Sequence, residues 1–509
     1  MKISRCNKKL TLSKRISTVL LSTCMFATTA VFADDSTITI IQVSDLHGNL
    51  VPHAGVIINT DGSERIVTQG GGIAKVATIV NEIRADNPDS LALAVGDTVH
   101  GNVEVLFTMG DAIMPAFNAL GLDAYTPGNW EFGYGPVVFR HRFAPRPPYP
   151  PLPANVQVMI NADGVPGVSK ANFPVLAINL YNAAPLPPQL RGKRVLDPYK
   201  IFEVNGTKVA VIGITAAIVP QQSPVFSAGF KFTQGYTELP GIIDQVQAAG
   251  ATIIVVQSEL GLPQNVQLGR EFKSIDIILS AHSHEVTLGA ILADANGYSY
   301  TTPDERLTDA DKKRLKKGAA IIVEAGEDLY VGRLDLKVEG GKIKDFAWQA
   351  IPVDDDIAED PTIKALVDEQ EEYFIAGKDG KFIRHSYLPV GFCPANECGD
   401  TTKRGHQLVD DIDTIVGSTD ILLRRHDLLE GVMNNFIADS VRATLDPVVA
   451  NQTEWSGVDI SMTNGFRFDT PILSANDVPA GKTFRDGRAA GEITLRDLYA
   501  YFPLAPALV

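Results

Sequence analysis

Cysteine is scarce in this chain, with four in 509 residues. Cys6 and Cys24 lie in the first 33 positions, which leaves Cys393 and Cys398 for the rest. Two cysteines this close can form one small disulfide in an oxidising compartment. They cannot alone make a structural zinc site, which takes four ligands. Long apolar runs are missing too. Beyond the N-terminus no segment approaches the roughly 20 apolar residues that span a bilayer, so stable membrane insertion is not expected. Positive charge is in deficit: 45 Lys and Arg stand against 60 Asp and Glu, a net charge of −15. Such a surface repels nucleic acid polymers and anionic membranes. A small anionic substrate would need local positive charge, such as metal ions.

The N-terminus is different in kind. Lys2, Arg5, Lys8, Lys9, Lys14 and Arg15 precede an apolar run from Ile16 to Phe32 that ends in Val31-Phe32-Ala33. A basic start, a short apolar stretch studded with Ser and Thr, and a small-residue end make a secretory signal pattern. The expectation is an exported protein, periplasmic or secreted, whose mature chain is still more acidic. A lipoprotein variant at Cys24 fits poorly, because Thr23 precedes it. The composition, 45% hydrophobic and 21% charged, is that of an ordinary globular protein. This length has room for two domains or more.

Apolar strand-like runs alternate with helical patterns, which argues an α/β layered fold. The run from Thr37 ends at Ser44-Asp45, and a helical pattern follows over Ile73–Ala85. Leu91–Val95 stops at Gly96-Asp97, Ala124–Pro127 at Gly128-Asn129, and Ile275–Ser280 at Ala281-His282. Lys208–Thr215 and Ala251–Gln257 read as further strands, and Ala319–Val338 as a β-rich close of the first domain. Residues 143–174 are Pro-rich and read as an insertion. The lysines of 301–318 read as a solvated helix end rather than an anion site. Helices are expected at Pro361–Phe374 and Leu428–Leu445, and a strand at Val458–Met462. The resulting division is a signal over 1–33, a first domain over 34–345, a connector over 346–410 and a smaller α/β domain over 411–509.

Four strand ends therefore deliver metal-capable side chains, where ligands bind in open α/β sheets. Asp45-Leu46-His47 offers a carboxylate and an imidazole. Asp97 can bridge two cations, and Gly96 lets the backbone come close. Asn129 adds an amide oxygen. His282 and His284 share a face, because alternate residues of an extended chain do. A mixed oxygen and nitrogen set suits borderline divalent metals. His100 follows Asp97 closely but reads as a loop histidine.

The order and spacing of Asp45-x-His47, Gly96-Asp97, Gly128-Asn129-x-Glu131 and His282-x-His284 resemble the calcineurin-like metallophosphoesterase signature. The chain as a whole resembles the bacterial 5′-nucleotidase family. Ile322-Val-Glu-Ala-Gly326, Val331-Gly-Arg-Leu334, Asn434–Asp439, Thr463–Arg467 and Gly491–Thr494 extend the likeness. The resemblance implies a four-layer α/β/β/α sandwich and a C-terminal substrate domain, which here would be incomplete. It implies a hydrolase of nucleotide catabolism, acting on phosphate esters with a metal-activated hydroxide. Asp45, His47, Asp97 and His284 would hold one metal, and Asp97, Asn129 and His282 the other. Arg467 would meet the substrate's anionic group, which suits a guanidinium fork.

Three positions depart from that pattern. Trp130 stands where the family has His, and Gly133 where it has the partner Asp. The acid–base pair is therefore absent, since an indole is a hydrogen-bond donor only and cannot take up and release a proton as an imidazole does. Glu259 stands where the family places a metal-binding His. As a ligand it would tilt the pair of divalent ions from zinc toward manganese, iron or magnesium, with manganese favoured. Trp130 and Gly465-Phe-Arg-Phe468 also resemble periplasmic thiosulfohydrolases, which cleave an S–S bond to release sulfate. A thiol-type leaving group needs less acid assistance. A third reading is a catalytically impaired binding protein on the same scaffold.

Overall fold

The computed structural model describes residues 37–151, 168–303, 305–375, 410–424, 431–450, 457–462 and 470–501. The signal pattern, Cys393, Cys398 and the segment holding Arg467 lie outside them.

The chain begins with β1 (Thr37–Ser44), the hairpin β2 (His53–Ile58) and β3 (Glu64–Gly70), then β4 (Leu91–Gly96) and β5 (Ala124–Pro127). Next come β6 (Leu180–Asn182), β7 (Tyr199–Val204), β8 (Thr207–Ile214), β9 (Phe230–Phe232), β10 (Ile253–Ser258) and β11 (Ile277–Ser280). The hairpins β12 (Ile291–Asp294)–β13 (Gly297–Tyr300) and β15 (Tyr330–Glu339)–β16 (Lys342–Pro352) flank β14 (Ala320–Val323). Later, β17 (Ile415–Ser418) pairs with β18 (Glu492–Thr494).

Two sheets carry the fold. One has the order β16-β15-β1-β4-β5, the other β13-β12-β14-β11-β10-β8-β7. Both are mixed: β1, β4 and β5 run parallel, as do β8, β10, β11 and β14. Alternation along each strand decides what lies between them. Ile38, Ile40, Leu93 and Val95 of the first sheet meet Val211, Val255, Ile277 and Val323 of the second in one core. The opposite face, Ile41, Val43, Ala92 and Ala94, packs under Val76, Ile79 and Val80 of the helix Ile73–Asp86. Likewise Ala210, Ile212, Ile254 and Val256 pack against Ile242 and Val246 of the helix Leu239–Ala248. Each sheet is thus covered on both faces, giving the layers α/β/β/α. Double burial explains why the strands read as unbroken apolar runs.

The helix Pro361–Ile375 places Ile363 and Val367 in the first sheet's outer core. Helix Asp309–Lys316 is a solvated element. Thr308 and Asp311 form its capping box, while Lys312 and Arg314 pair with Asp345 and Asp294. Two local expectations shift. The later helix runs over Val432–Ala450, beginning after 425–430, which lie outside the described residues. Residues 457–462 form no strand, and Ile460 and Met462 are exposed. Apolar alternation there finds no neighbouring strand among the described residues to complete a ladder.

Candidate metal centre

Parallel strands put their C-terminal ends on one edge, and both sheets present that edge to the same place. Asp45 and His47 follow β1, Asp97 follows β4 and Asn129 follows β5. From the second sheet, Glu259 follows β10, and His282 and His284 follow β11. Two groups result: Asp45, His47 and His284, and Asp97, Glu259 and His282. In each, one potential ligand atom per residue lies within 4.8 Å of the others. The Asp45 carboxylate joins them, because Oδ1 accepts from the Asp97 N–H at 3.0 Å and Oδ2 from the His282 N–H at 3.0 Å.

The backbone is bent to achieve this. Asp45, His47, His282 and His284 all have positive φ, at 42°, 45°, 81° and 58°. Left-handed backbone is costly for such residues and collects at functional sites. The glycines have a steric reason. A Cβ on Gly96 would lie 2.2 Å from Asp45 Oδ1, and one on Gly128 2.2 Å from Asp97 Oδ1.

Hydrogen bonds fix the imidazoles. His47 Nδ1 lies 3.1 Å from the His100 carbonyl oxygen, which can only accept, so Nδ1 carries the proton. His284 Nδ1 lies 2.7 Å from Glu327 Oε1. With both Nδ1 atoms donating, the two Nε2 lone pairs face each other across 2.9 Å. Two lone pairs that close call for a shared cation. Asn129 Oδ1 is buried and has no hydrogen-bond partner among the described residues. Such an acceptor is also suited to a cation.

The electrostatics agree. Burial, then the nearby Glu259 carboxylate, pushes Asp45 up to about 7. Burial, followed by Glu259, Glu131 and Asp45, holds Asp97 well above the usual carboxylate range. Burial, then His284, keeps the His47 imidazole well below its usual value. A neutral His47 imidazole among crowded carboxylates leaves the centre short of positive charge. The residues present fit a pair of divalent cations, with Asp45, His47 and His284 around one and Asp97, Glu259, His282 and Asn129 near the other.

The structure gives roles to neighbouring groups that the sequence motif names without assigning them. Glu131, fully buried, accepts from Thr98 and Val99 N–H at 2.6 and 3.1 Å through Oε1, and from Gly128 N–H at 2.9 Å through Oε2. It thereby ties the Asp97 loop to the Asn129 loop. His100 does lie in the loop after β4, but it is buried there and stacks on Trp130, with ring centroids 4.3 Å apart and planes 9° from parallel. Burial pulls its imidazole down to about 3, so it stays neutral. The Trp130 backbone N–H donates to Asp97 Oδ1 at 2.7 Å.

Glu327 orients His284 from 43 residues away. Carboxylates in this position fix the tautomer and raise ligand basicity. Glu327→Ala is expected to weaken metal binding about 10- to 100-fold, read by titration of the metal-free protein with manganese. An unchanged affinity would remove Glu327 from the centre.

The layered sheets and the clustered strand ends have the arrangement of the metallophosphoesterase fold. Residues 38–286 match the family model described as calcineurin-like phosphoesterase, and the chain carries such a domain. A 5′-nucleotidase of Bos taurus is 25% identical over 333 residues, covering 64% of this chain and 51% of that protein. The chain therefore spans about half the length of this curated relative. The trifunctional nucleotide phosphoesterase protein YfkN of Bacillus subtilis is 24% identical over 420 residues, 77% of this chain and 23% of that one. Among solved structures, a 5′-nucleotidase precursor from Thermus thermophilus superposes with TM-score 0.57 at 19% identity. The sulfate thiohydrolase SoxB of the same organism superposes with TM-score 0.60 at 18% identity. Each comparison covers 91% of this chain and 73% of the other, and at these identities each shows the fold. No helix among the described residues is long and apolar enough to cross a membrane.

Proposed function

We propose that this chain is an exported, dinuclear-metal hydrolase of small phosphate esters, with nucleotides as the leading candidates. The observation that carries the reading is the convergence of His47 and His284 Nε2 beside a second group, stapled to the first through Asp45. When bound, a divalent cation pair supplies Lewis acidity and positive charge at the phosphoryl oxygens. The chain's part is to hold that charge in place. Asp45, His47, Asp97, Asn129, Glu259, His282 and His284 are the proposed ligands, and Arg467 the proposed contact for the substrate's anionic group. Glu327 and the His100 carbonyl keep both Nδ1 protons away from the ligand face. Trp130 and His100 fill the space beside Asp97 with a neutral stack, so the leaving group takes its proton from solvent.

That last feature supports a second reading, cleavage of an S–S bond, because a thiol-type leaving group needs little acid assistance. One assay separates the two. The mature chain with manganese is offered a 5′-nucleotide, an aryl phosphate and an organic thiosulfonate. The first reading expects phosphate release from the esters. Turnover of the sulfur substrate alone moves the assignment to the second, and no turnover without metal uptake leaves only a binding role. In the same preparation, Glu259→Gln is expected to lower metal content to about one ion per chain. Two ions retained would take Glu259 off the ligand list.

A further inference from the structure

Asp328 is wholly buried, and it gathers donors from three separate segments. Its Oδ1 accepts from Asn49 Nδ2 at 2.8 Å, in the loop after β1. Its Oδ2 accepts from the Gly72 N–H at 2.6 Å, where the helix Ile73–Asp86 begins. His53 Nε2, at the start of β2, lies 3.1 Å from Oδ2 and 3.2 Å from Oδ1. Gly71 leaves room for this carboxylate, since a Cβ there would lie 2.3 Å from Oδ2. His53 Nδ1 lies 2.7 Å from the Ala54 carbonyl oxygen, which can only accept. With an acceptor at each ring nitrogen, His53 is an imidazolium that neutralises Asp328 in place. Burial lowers His53, but Asp328 beside it outweighs this and raises the imidazole to about 9.

The carboxylate gives the bonds beyond it a direction. It can only accept, so the Asn49 amide turns its nitrogen toward Asp328 and its oxygen away. Asn49 Oδ1 then accepts from Asn102 Nδ2 at 2.6 Å. Asn102 stands at the N-cap of the helix Val103–Phe107, where an Asn side chain ordinarily accepts from the helix backbone. It makes no such cap, and gives its amide to Asn49 instead. All three side chains are buried.

Each member of this chain of bonds sits beside a group that fixes an imidazole. Asn49 lies two residues beyond His47. Asn102 lies two residues beyond His100, whose carbonyl accepts from His47 Nδ1. Asp328 follows Glu327, whose carboxylate holds His284 Nδ1. Among the described residues, none of the three bonds to Asp97, Glu259 or His282. We propose that Asp328, acting through Asn49 and Asn102, is the positioning residue that sets the spacing of His47 and His284, and so governs one cation of the pair and not the other. The proposal rests on the metal-centre reading above. Glu327 turns the His284 ring, whereas Asp328 holds the segments that carry the two rings against each other.

The test titrates the full mature chain, freed of metal, with manganese in a calorimeter, and follows folding by thermal melts in chelator. Wild type is expected to take up both ions. Asp328→Asn should weaken one of them at least about tenfold and leave the other within about twofold. Asn102→Ala removes one link without touching a charge or a cap. It should weaken the same ion by a smaller factor, and it carries the test if Asp328→Asn does not fold. His284→Ala identifies the ion. On that background the other ion remains, and adding Asn102→Ala or Asp328→Asn should leave its affinity unchanged, because the substitutions act on one site. A merely structural role would loosen both ions together. Both ions weakened alike, or neither weakened, would overturn the proposal while the metal centre stands. No uptake by the wild type would bring down both.

Discussion

Asp97→Asn is expected to cost at least about a thousandfold in kcat/KM while making the metal-free protein more stable. The two signs have one cause. Asp97 lies between the two ligand groups, 3.9 Å from His47 Nε2 and within the cluster formed with Glu259 and His282. Asn keeps the shape and an acceptor for the Trp130 backbone N–H, but removes the charge that a cation pair needs. Without cations that charge is a burden. Asp45, Asp97 and Glu259 are buried together, and burial first, then their mutual repulsion, raises the first two. The folded chain therefore keeps protons that the unfolded chain, with ordinary carboxyls near 3.8, has already released. Stability of the metal-free protein is then complete below that value and is lost as pH rises through about 7, where Asp45 titrates. Thermal melts in chelator from pH 5 to pH 8 should show the wild type falling by roughly 3 °C or more, at ~1–2 °C per kcal/mol for a chain of this size. Asp97→Asn should fall less and melt higher at pH 8. Added manganese should raise the wild type well above the variant. A variant that keeps its activity, or that melts lower than the wild type in chelator, would contradict this account.

The parts of this centre legible in the sequence are those where local and global order coincide. Asp45, Asp97, Asn129 and His282 each follow an apolar run of a strand, and parallel pairing brings those ends together. Gly96 was legible as a small neighbour, though the contacts that it and Gly128 avoid, with Asp45 and Asp97, become visible only in three dimensions. The supporting groups were harder to see. Glu327 reaches His284 across 43 positions, and His100 serves His47 through its backbone carbonyl, which no side-chain pattern records. Its stacking on Trp130 depends on how two strand-end loops meet. The later part of the chain was less legible for a different reason. Val458–Met462 alternates like a strand, but alternation predicts a face and not the presence of a partner. The layers of the first 350 residues followed from apolar runs long enough to be covered on both sides.

Arg496→Gln should be the most destabilising substitution far from the metal centre, by about 3–5 kcal/mol. Arg496 begins near the end of the described chain, in the helix Leu495–Tyr501, yet it is largely buried against the first sheet's flank. Its Nη1 donates to Glu104, its Nη2 to Glu371 at 2.7 Å and its Nε to Asp413 at 2.7 Å. Arg485 also approaches Glu371, at 3.5 Å. Three carboxylates thus surround two guanidinium groups, and a proton settles the balance: burial pushes Glu104 up to about 8, against the pull of Arg496. Removing the central cation strands the other carboxylates in a buried place. They can escape only by taking up protons, so the loss should be smaller at pH 5 than at pH 8. The damage should also reach the metal centre. Glu104 lies in the helix Val103–Phe107, just beyond the His100 loop that holds His47, and Val105 of that helix packs directly over Gly48. Loosening the helix should therefore weaken manganese binding, although no ligand has changed. The pair Glu104→Gln and Arg496→Gln separates charge from packing. If the stranded carboxylate is the cause, adding Glu104→Gln recovers part of the lost melting temperature and part of the metal affinity. If packing is the cause, the double variant is worse than either single one. A melting temperature for Arg496→Gln within about 1 °C of the wild type at pH 8, about half a kcal/mol to one for a chain of this size, would show that this cluster does not hold the C-terminal segment to the first domain.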